Sequence, residues 1–188
     1  MELRKWLNRN DDRNVWKGLA AGLAGGLVAS YVMNQFQALW SKASEAAKKP
    51  QGSPSASHGG QGQQQRDSEK QEPATVKAAA AISEGVFDHH LTKSEKKVAG
   101  PAVHYAMGGT SGAIYGAASE LAPEVTVGAG IPFGTAVWLV ADEITVPALG
   151  LTEPPTQRPL SWHVSSLASH FVYGLTTDLV RRAVRNAL

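Results

Sequence analysis

The chain has 188 residues, room for one domain. Its formal net charge is only +2, and its basic residues sit in a polar linker and near the two ends, not on a stripe interleaved with aromatics, so no nucleic-acid partner is indicated. The absence of cysteine excludes disulfides and thiolate metal sites.

Residues 1–17 form a charged segment. Residues 18–40, "GLAAGLAGGLVASYVMNQFQALW", carry no charge over 23 positions. That is enough to cross a hydrocarbon core of about 30 Å at about 1.5 Å per residue. Trp16 and Trp40 stand at its ends, where membrane interfaces favour indoles. A cleaved signal peptide is the rival reading, but the apolar part is long for one and no small-x-small cleavage site directly follows it. From Ser41 to Thr75 there is no Val, Leu, Ile, Met, Phe, Tyr or Trp. Such a stretch cannot bury enough apolar area to offset its ordering entropy, so it reads as a disordered polar linker. It also explains why the mean hydropathy, −0.20, looks like that of a soluble protein.

Residues 76–91 then read as an amphipathic helix lying at a membrane surface. Thr92 and Glu95 have the spacing of a capping box and start the next helix. The second expected span covers residues 98–121, with Pro101 either kinking it or marking its first turn. The third covers 125–146. "TEPPTQRP" breaks the chain, and the fourth covers 160–180. The expectation is therefore an all-α polytopic membrane protein. It has four transmembrane helices, a long disordered loop between the first two, and a membrane domain over residues 92–188. Spans two to four are rich in Gly and less apolar than an average span. Interior Gly costs a soluble helix about 1 kcal/mol relative to Ala, whereas in lipid it lets backbones approach. The bilayer is the expected partner. An even number of spans puts both termini on one side. Five Lys/Arg precede the first span, nine lie in the linker, one lies between spans three and four, and three follow the last. Eight with the termini against ten opposite leave the orientation open; the expectation adopted is a cytoplasmic location for both ends, in the inner membrane.

Gly18, Gly22, Gly26 and Ser30 recur every four residues, as do Gly108, Gly112 and Gly116, with Gly100 in register. These small-residue ridges are helix-packing surfaces; the first is also open to a homo-oligomer seam. On the second span His104, Gly108, Ser111 and Tyr115 share a face; on the fourth His163, Ser166, His170, Gly174 and Thr177 do so. Three readings of His104 and His170 stay open: each satisfies a carbonyl across a packed interface, they carry protons or hold a ligand, or they join Asp142 in a metal site. No close ligand pair supports the metal. Asp142 and Glu143 interrupt the third span. About 100° separates neighbours on an α-helix, so both face one partner only if the helix breaks there; otherwise they diverge, one to the bundle and the other to an interface or water, or both mark the end of the span with "ITVPALGL" as a re-entrant or interfacial segment. Asp178, three and four residues before Arg181 and Arg182, reads as a helix-end ion pair. Gly109-Thr110-Ser111-Gly112 resembles the Gly-x-Ser-Gly of rhomboid intramembrane proteases, with His170 as the matching base, but four spans are too few for that fold. No Walker loop, His-Glu-x-x-His or dinucleotide fingerprint occurs.

"VPALGLTEPP", "SHFVYG" and "RRAVRN" together resemble the last third of the YagU-like family of bacterial inner-membrane proteins, a domain of unknown function. The positions are Pro147, Gly150, Leu151, Thr152, Pro154, Pro155, Ser169, His170, Arg181, Arg182, Arg185 and Asn186. The likeness covers roughly residues 100–186 and, more loosely, the first span; the long linker departs from it. It implies a multi-span inner-membrane protein and no reaction. The functional expectation is non-enzymatic, without cofactor or metal: a polar core of His104, Asp142, Glu143 and His170 that handles protons or a small solute. The alternative is a membrane scaffold or assembly protein that recruits a partner through its linker or surface helix.

Overall fold

A computed structural model describes residues 13–48 and 72–188. All regular structure in them is helical. There are five principal helices: α1 (Val15–Lys48), α2 (Ala74–Phe87), α3 (Lys93–Leu121), α4 (Ile131–Trp138) and α5 (Leu160–Ala187). α4 continues without a break into a π-helical stretch, Leu139–Thr145, and a last α-turn, Val146–Ala148. The chain divides into two compact units, one running as far as Gln37 and again from His104 to Leu188, the other Ala38–Val103.

The first unit is an up-down-up-down bundle, and its register follows from close contacts. A Cβ placed on Gly22 would collide with the Gly112 carbonyl, and one on Gly112 with the Gly22 carbonyl; Gly18 meets Gly116 and Gly26 meets Gly108 in the same way. α1 and α3 are therefore antiparallel and touch backbone to backbone along both ridges. The ridge of α1 faces the chain's own α3. Gly100, by contrast, packs on Val76 within the second unit. Gly130 and Gly134 meet Gly174 and the His170 carbonyl, which sets α4 antiparallel to α5.

The bundle buries many polar side chains beside a small apolar cluster of Ala29, Met33 and Tyr173, and it turns large apolar ones outward. Ser30, Ser166, Ser169, His170, Thr177, Asp178 and Arg181 are buried, while Leu23, Leu27, Val28, Ile114, Val140, Ile144, Val164 and Leu179 are exposed. The buried hydroxyls of Ser30, Ser119, Ser169 and Thr177 each donate to the carbonyl four residues earlier, so the helices satisfy them internally. One described helix, α1, is long and apolar enough to cross a membrane by length and composition. α3 and α5 have 29 and 28 residues, but small and polar side chains dilute their hydropathy.

Several boundaries move. α1 runs on to Lys48, so residues 41–48 are helix and not linker. The lack of large apolar side chains in "SKASEAAK" argues against burial, not against helix, and Ala, Lys and Glu are good helix formers. Residues 49–71, the rest of the expected disordered stretch apart from its last few positions, and residues 1–12 lie outside the described residues. The third helix starts at Ile131, not at residue 125, because Gly128, Ala129 and Gly130 have φ of 79°, 54° and 83°. Left-handed residues cannot sit in a right-handed helix. Pro101 lies inside α3 and not in its first turn.

In the second unit α2 ends on Asp88, which has a left-handed φ of 51°. Lys96 pairs with Glu72 at 2.8 Å. The capping box forms: the Thr92 N–H donates to Glu95 at 2.7 Å, and the Glu95 N–H donates to the Thr92 hydroxyl at 3.3 Å. The Thr92 backbone N–H, then its hydroxyl, hold the Glu95 carboxyl below its ordinary range. A depressed carboxyl stabilises the fold above the unfolded-state value, and that contribution is lost as pH falls through the depressed one. Protection of the first-turn amides of α3, after correction for the pH dependence of intrinsic exchange, is therefore expected to fall on acidification, and Thr92→Ala to show the low protection already at neutral pH. Equal protection in both proteins at both pH values would contradict the cap.

Candidate functional site

The site lies where the π-helical stretch faces α5. Pro147 supplies a reason for the π geometry. In an α-helix its ring would press on the carbonyl four residues back, that of Glu143. The Val146 N–H instead bonds the Ala141 carbonyl, five residues back, which widens the turn. Gly134 and Gly174 let the helices close to backbone contact just beside it.

The wider turn brings both acids onto α5. The Ser166 hydroxyl donates to Asp142 Oδ2. His170 Nδ1 donates to the Ser166 carbonyl at 2.9 Å and stands 3.9 Å from Asp142 Oδ2. Glu143 Oε1 is 2.8 Å from His163 Nδ1, and the other ring nitrogen, Nε2, is 3.1 Å from the Pro155 carbonyl. The Glu143 and His163 side chains are only 10% and 21% exposed, so water competes weakly for this pair.

His104 completes the layer from α3. Its ring lies near the Ser30 backbone carbonyl of α1 and within electrostatic reach of His170 and Asp142. Its Nε2 is buried without a hydrogen-bond partner, as is the indole N–H of Trp138. No hydrogen bond or ion pair joins His104 to His170 or Asp142 among the described residues, and there is no group of three or more metal-ligating side chains there. The metal reading of His104, His170 and Asp142 thus has no geometric support.

Three of the four residues named from the sequence, Asp142, Glu143 and His170, meet along one seam, and His104 approaches from a third helix. His163 and Ser166 are equal members that the sequence placed only on the right face. The signal was Pro147, four residues after Glu143, which marks the break that the two acids require.

No hydrogen bond joins Ser111 to His170 among the described residues. The Ser111 hydroxyl donates to the Met107 carbonyl and meets the Tyr173 hydroxyl at 3.2 Å, while the His170 Nδ1–H is held by Ser166. The opposite end of the bundle is a separate, structural network. Asp178 binds Arg181 and Arg182, both at 2.8 Å, as the i,i+3 and i,i+4 spacing predicts, and also takes the Tyr115 hydroxyl at 3.0 Å. Tyr115 stacks on Phe133 at 4.3 Å, and Arg185 reaches Glu120 at 2.7 Å.

No curated protein and no solved structure matches the chain. One family does, over residues 64–179, which includes α2 to α4, the π-helical stretch and most of α5. The chain belongs to that family, DUF1440, whose members are described as proteins of unknown function.

Proposed function

We propose that this is a four-span protein of the cytoplasmic membrane whose polar layer passes protons or a small polar solute. The four spans lie within α1, α3, α4 with its π extension, and α5. Both termini face the cytoplasm, and the chain is a YagU-like member of its family. One observation carries the reading: Ser30, Ser166, Ser169, His170, Thr177, Asp178 and Arg181 are buried beside a small apolar cluster, while large Leu, Val and Ile side chains face outward. Lipid inverts the usual arrangement in this way, because the tails are as apolar as the side chains that face them. Ionisable groups at that depth are costly and are kept where they serve a pathway. His104, His170, Asp142 and Glu143, now with His163 and Ser166, would form that pathway. A His that switches between neutral and charged would change the hydration of the layer, and a carboxylate beside it would favour the charged form.

The test is proton flux into liposomes carrying the purified protein and an internal pH dye. Wild type is expected to conduct, and His170→Ala and Asp142→Ala to lose flux at least several-fold with unchanged reconstitution. Unchanged flux in both variants removes the proposal. The scaffold reading has one observation in its favour: Ile82, Val86 and Phe87 of α2 are exposed on one helix. Deleting residues 48–72 separates the two, because a scaffold loses its partner while a proton path survives.

A further inference from the structure

Donor counting divides the three histidines of the bundle. A neutral imidazole has one N–H and one lone pair. His104 needs at most one donor, toward the nearby Ser30 carbonyl. His170 needs one, for the Ser166 carbonyl, and its Nε2 meets no hydrogen-bond partner among the described residues. A neutral ring serves both. His163 differs, because Nδ1 faces the Glu143 carboxyl at 2.8 Å and Nε2 faces the Pro155 carbonyl at 3.1 Å. The Pro155 carbonyl can only accept, so Nε2 carries a proton. The Nδ1–Glu143 contact then needs a second proton, either on the ring (an imidazolium against a carboxylate) or on the carboxyl (an acid donating to a neutral ring). Either way the pair holds one proton more than a carboxylate beside a neutral histidine, and its net charge is zero.

The neighbouring pair stands in the other state. Asp142 accepts the Ser166 hydroxyl, and His170 spends its one required N–H on a backbone carbonyl, so nothing in that geometry calls for an extra proton. The two pairs are one residue apart on the π-helical stretch, and His163 and Ser166 are one turn apart on α5.

We infer that Glu143–His163 is the proton-loaded station, and Asp142–His170 the unloaded receiver, of a two-station proton relay along the α4–α5 seam. This rests on the pathway proposed above and narrows its cargo to the proton. In the transfer the bond between the shared proton and His163 Nδ1, or the Glu143 oxygen, breaks, and an O–H bond forms on Asp142. Glu143 is left anionic and His163 neutral. The groups of the relay are Asp142 and Glu143 from the π-helical stretch, His163, Ser166 and His170 from α5, and His104 from α3, with Arg158 of the proline turn over the Trp162 ring that packs edge-on against His163. The Pro155 carbonyl ties the loaded station to the proline turn, so a movement of that turn would remove an acceptor from His163 and favour release.

The experiment is 15N spectroscopy of histidine-labelled, full-length protein in lipid vesicles at neutral pH, with rings assigned by single His→Gln variants. Expected are two protonated or proton-sharing nitrogens on His163 and one on each of His170 and His104. Glu143→Gln should return His163 to a ring with one protonated nitrogen, while Asp142→Asn should leave His163 as in wild type. A His163 ring with a single unshared N–H in wild type overturns the assignment, as does a His163 spectrum indifferent to Glu143→Gln. The spectrum does not depend on conduction. The expected spectrum without liposome flux sinks the pathway and leaves the loaded pair standing; flux with the wrong spectrum sinks the relay alone.

Discussion

Gly112→Leu is expected to lose the packed bundle. On α3, Gly112 lies against Gly22 and Gly26 of α1 so closely that the first side-chain carbon would already overlap the Gly22 carbonyl oxygen and the Gly26 Cα. No rotamer relieves that clash, because it involves Cβ and backbone. The helices must separate, and with them goes the contact that Gly18–Gly116 and Gly26–Gly108 share. In the membrane setting proposed above no hydrophobic force pulls helices back together; association there rests on packing and on hydrogen bonds between helices. Overpacking a rigid site costs typically 1–3 kcal/mol, and backbone-to-backbone contact belongs at about 3 kcal/mol or above. Thermal unfolding in detergent measures it. Gly85→Ala is the control, since nothing lies within 4 Å of that position; there the better helix propensity of Ala should raise stability by up to about 1 kcal/mol. If Gly112→Leu melts with wild type, α1 is not seated on α3.

The same glycines show what was legible beforehand and what was not. A period of four in Gly18, Gly22, Gly26 and Ser30 reveals a packing ridge, because helix geometry is local. What the ridge packs on is a tertiary fact, and the candidates included a second copy of the chain as well as α3. The acids behave likewise. Adjacent carboxylates on one helix cannot share a partner in α geometry, so the conditional was readable: either they diverge or the helix changes. Pro147 supplied the answer in the sequence, since its ring conflicts with the Glu143 carbonyl. The identity of the partner, His163 twenty positions later in chain order, depends on how far the α4–α5 seam closes at Gly134 and Gly174. The start of the third helix was misplaced for a different reason. Ala129 takes a left-handed φ of 54° between two glycines that do the same, and nothing about an alanine announces that conformation. Residues 41–48 are helical although polar, because polarity speaks to burial and not to backbone propensity.

Asp178→Ala should be as damaging as the glycine substitution, by another route. Asp178 is fully buried and is the common partner of Arg181, Arg182 and the Tyr115 hydroxyl. Arg182 is half exposed and can turn toward water or keep its contact with the Thr126 carbonyl, so it loses little. Arg181 is 8% exposed; beyond Asp178 it faces the Tyr115 ring at 5.6 Å and lies within electrostatic reach of Glu120, which Arg185 already holds. Removing the carboxylate strands that cation, and breaking a buried pair from one side costs about 3–5 kcal/mol. The same physics predicts a rescue. Arg181→Leu in the Asp178→Ala background removes the stranded charge and leaves an apolar contact with Tyr115, so the double variant should recover most of the loss even though it lacks both partners. Arg181→Leu alone should be destabilised, because Asp178 then keeps only the exposed Arg182 and the Tyr115 hydroxyl. Thermal unfolding of the three variants in one detergent reads the cycle. If the losses of the single variants simply add in the double, Asp178 and Arg181 are not coupled, and the charged end of the bundle is held by Glu120 and Arg185 instead.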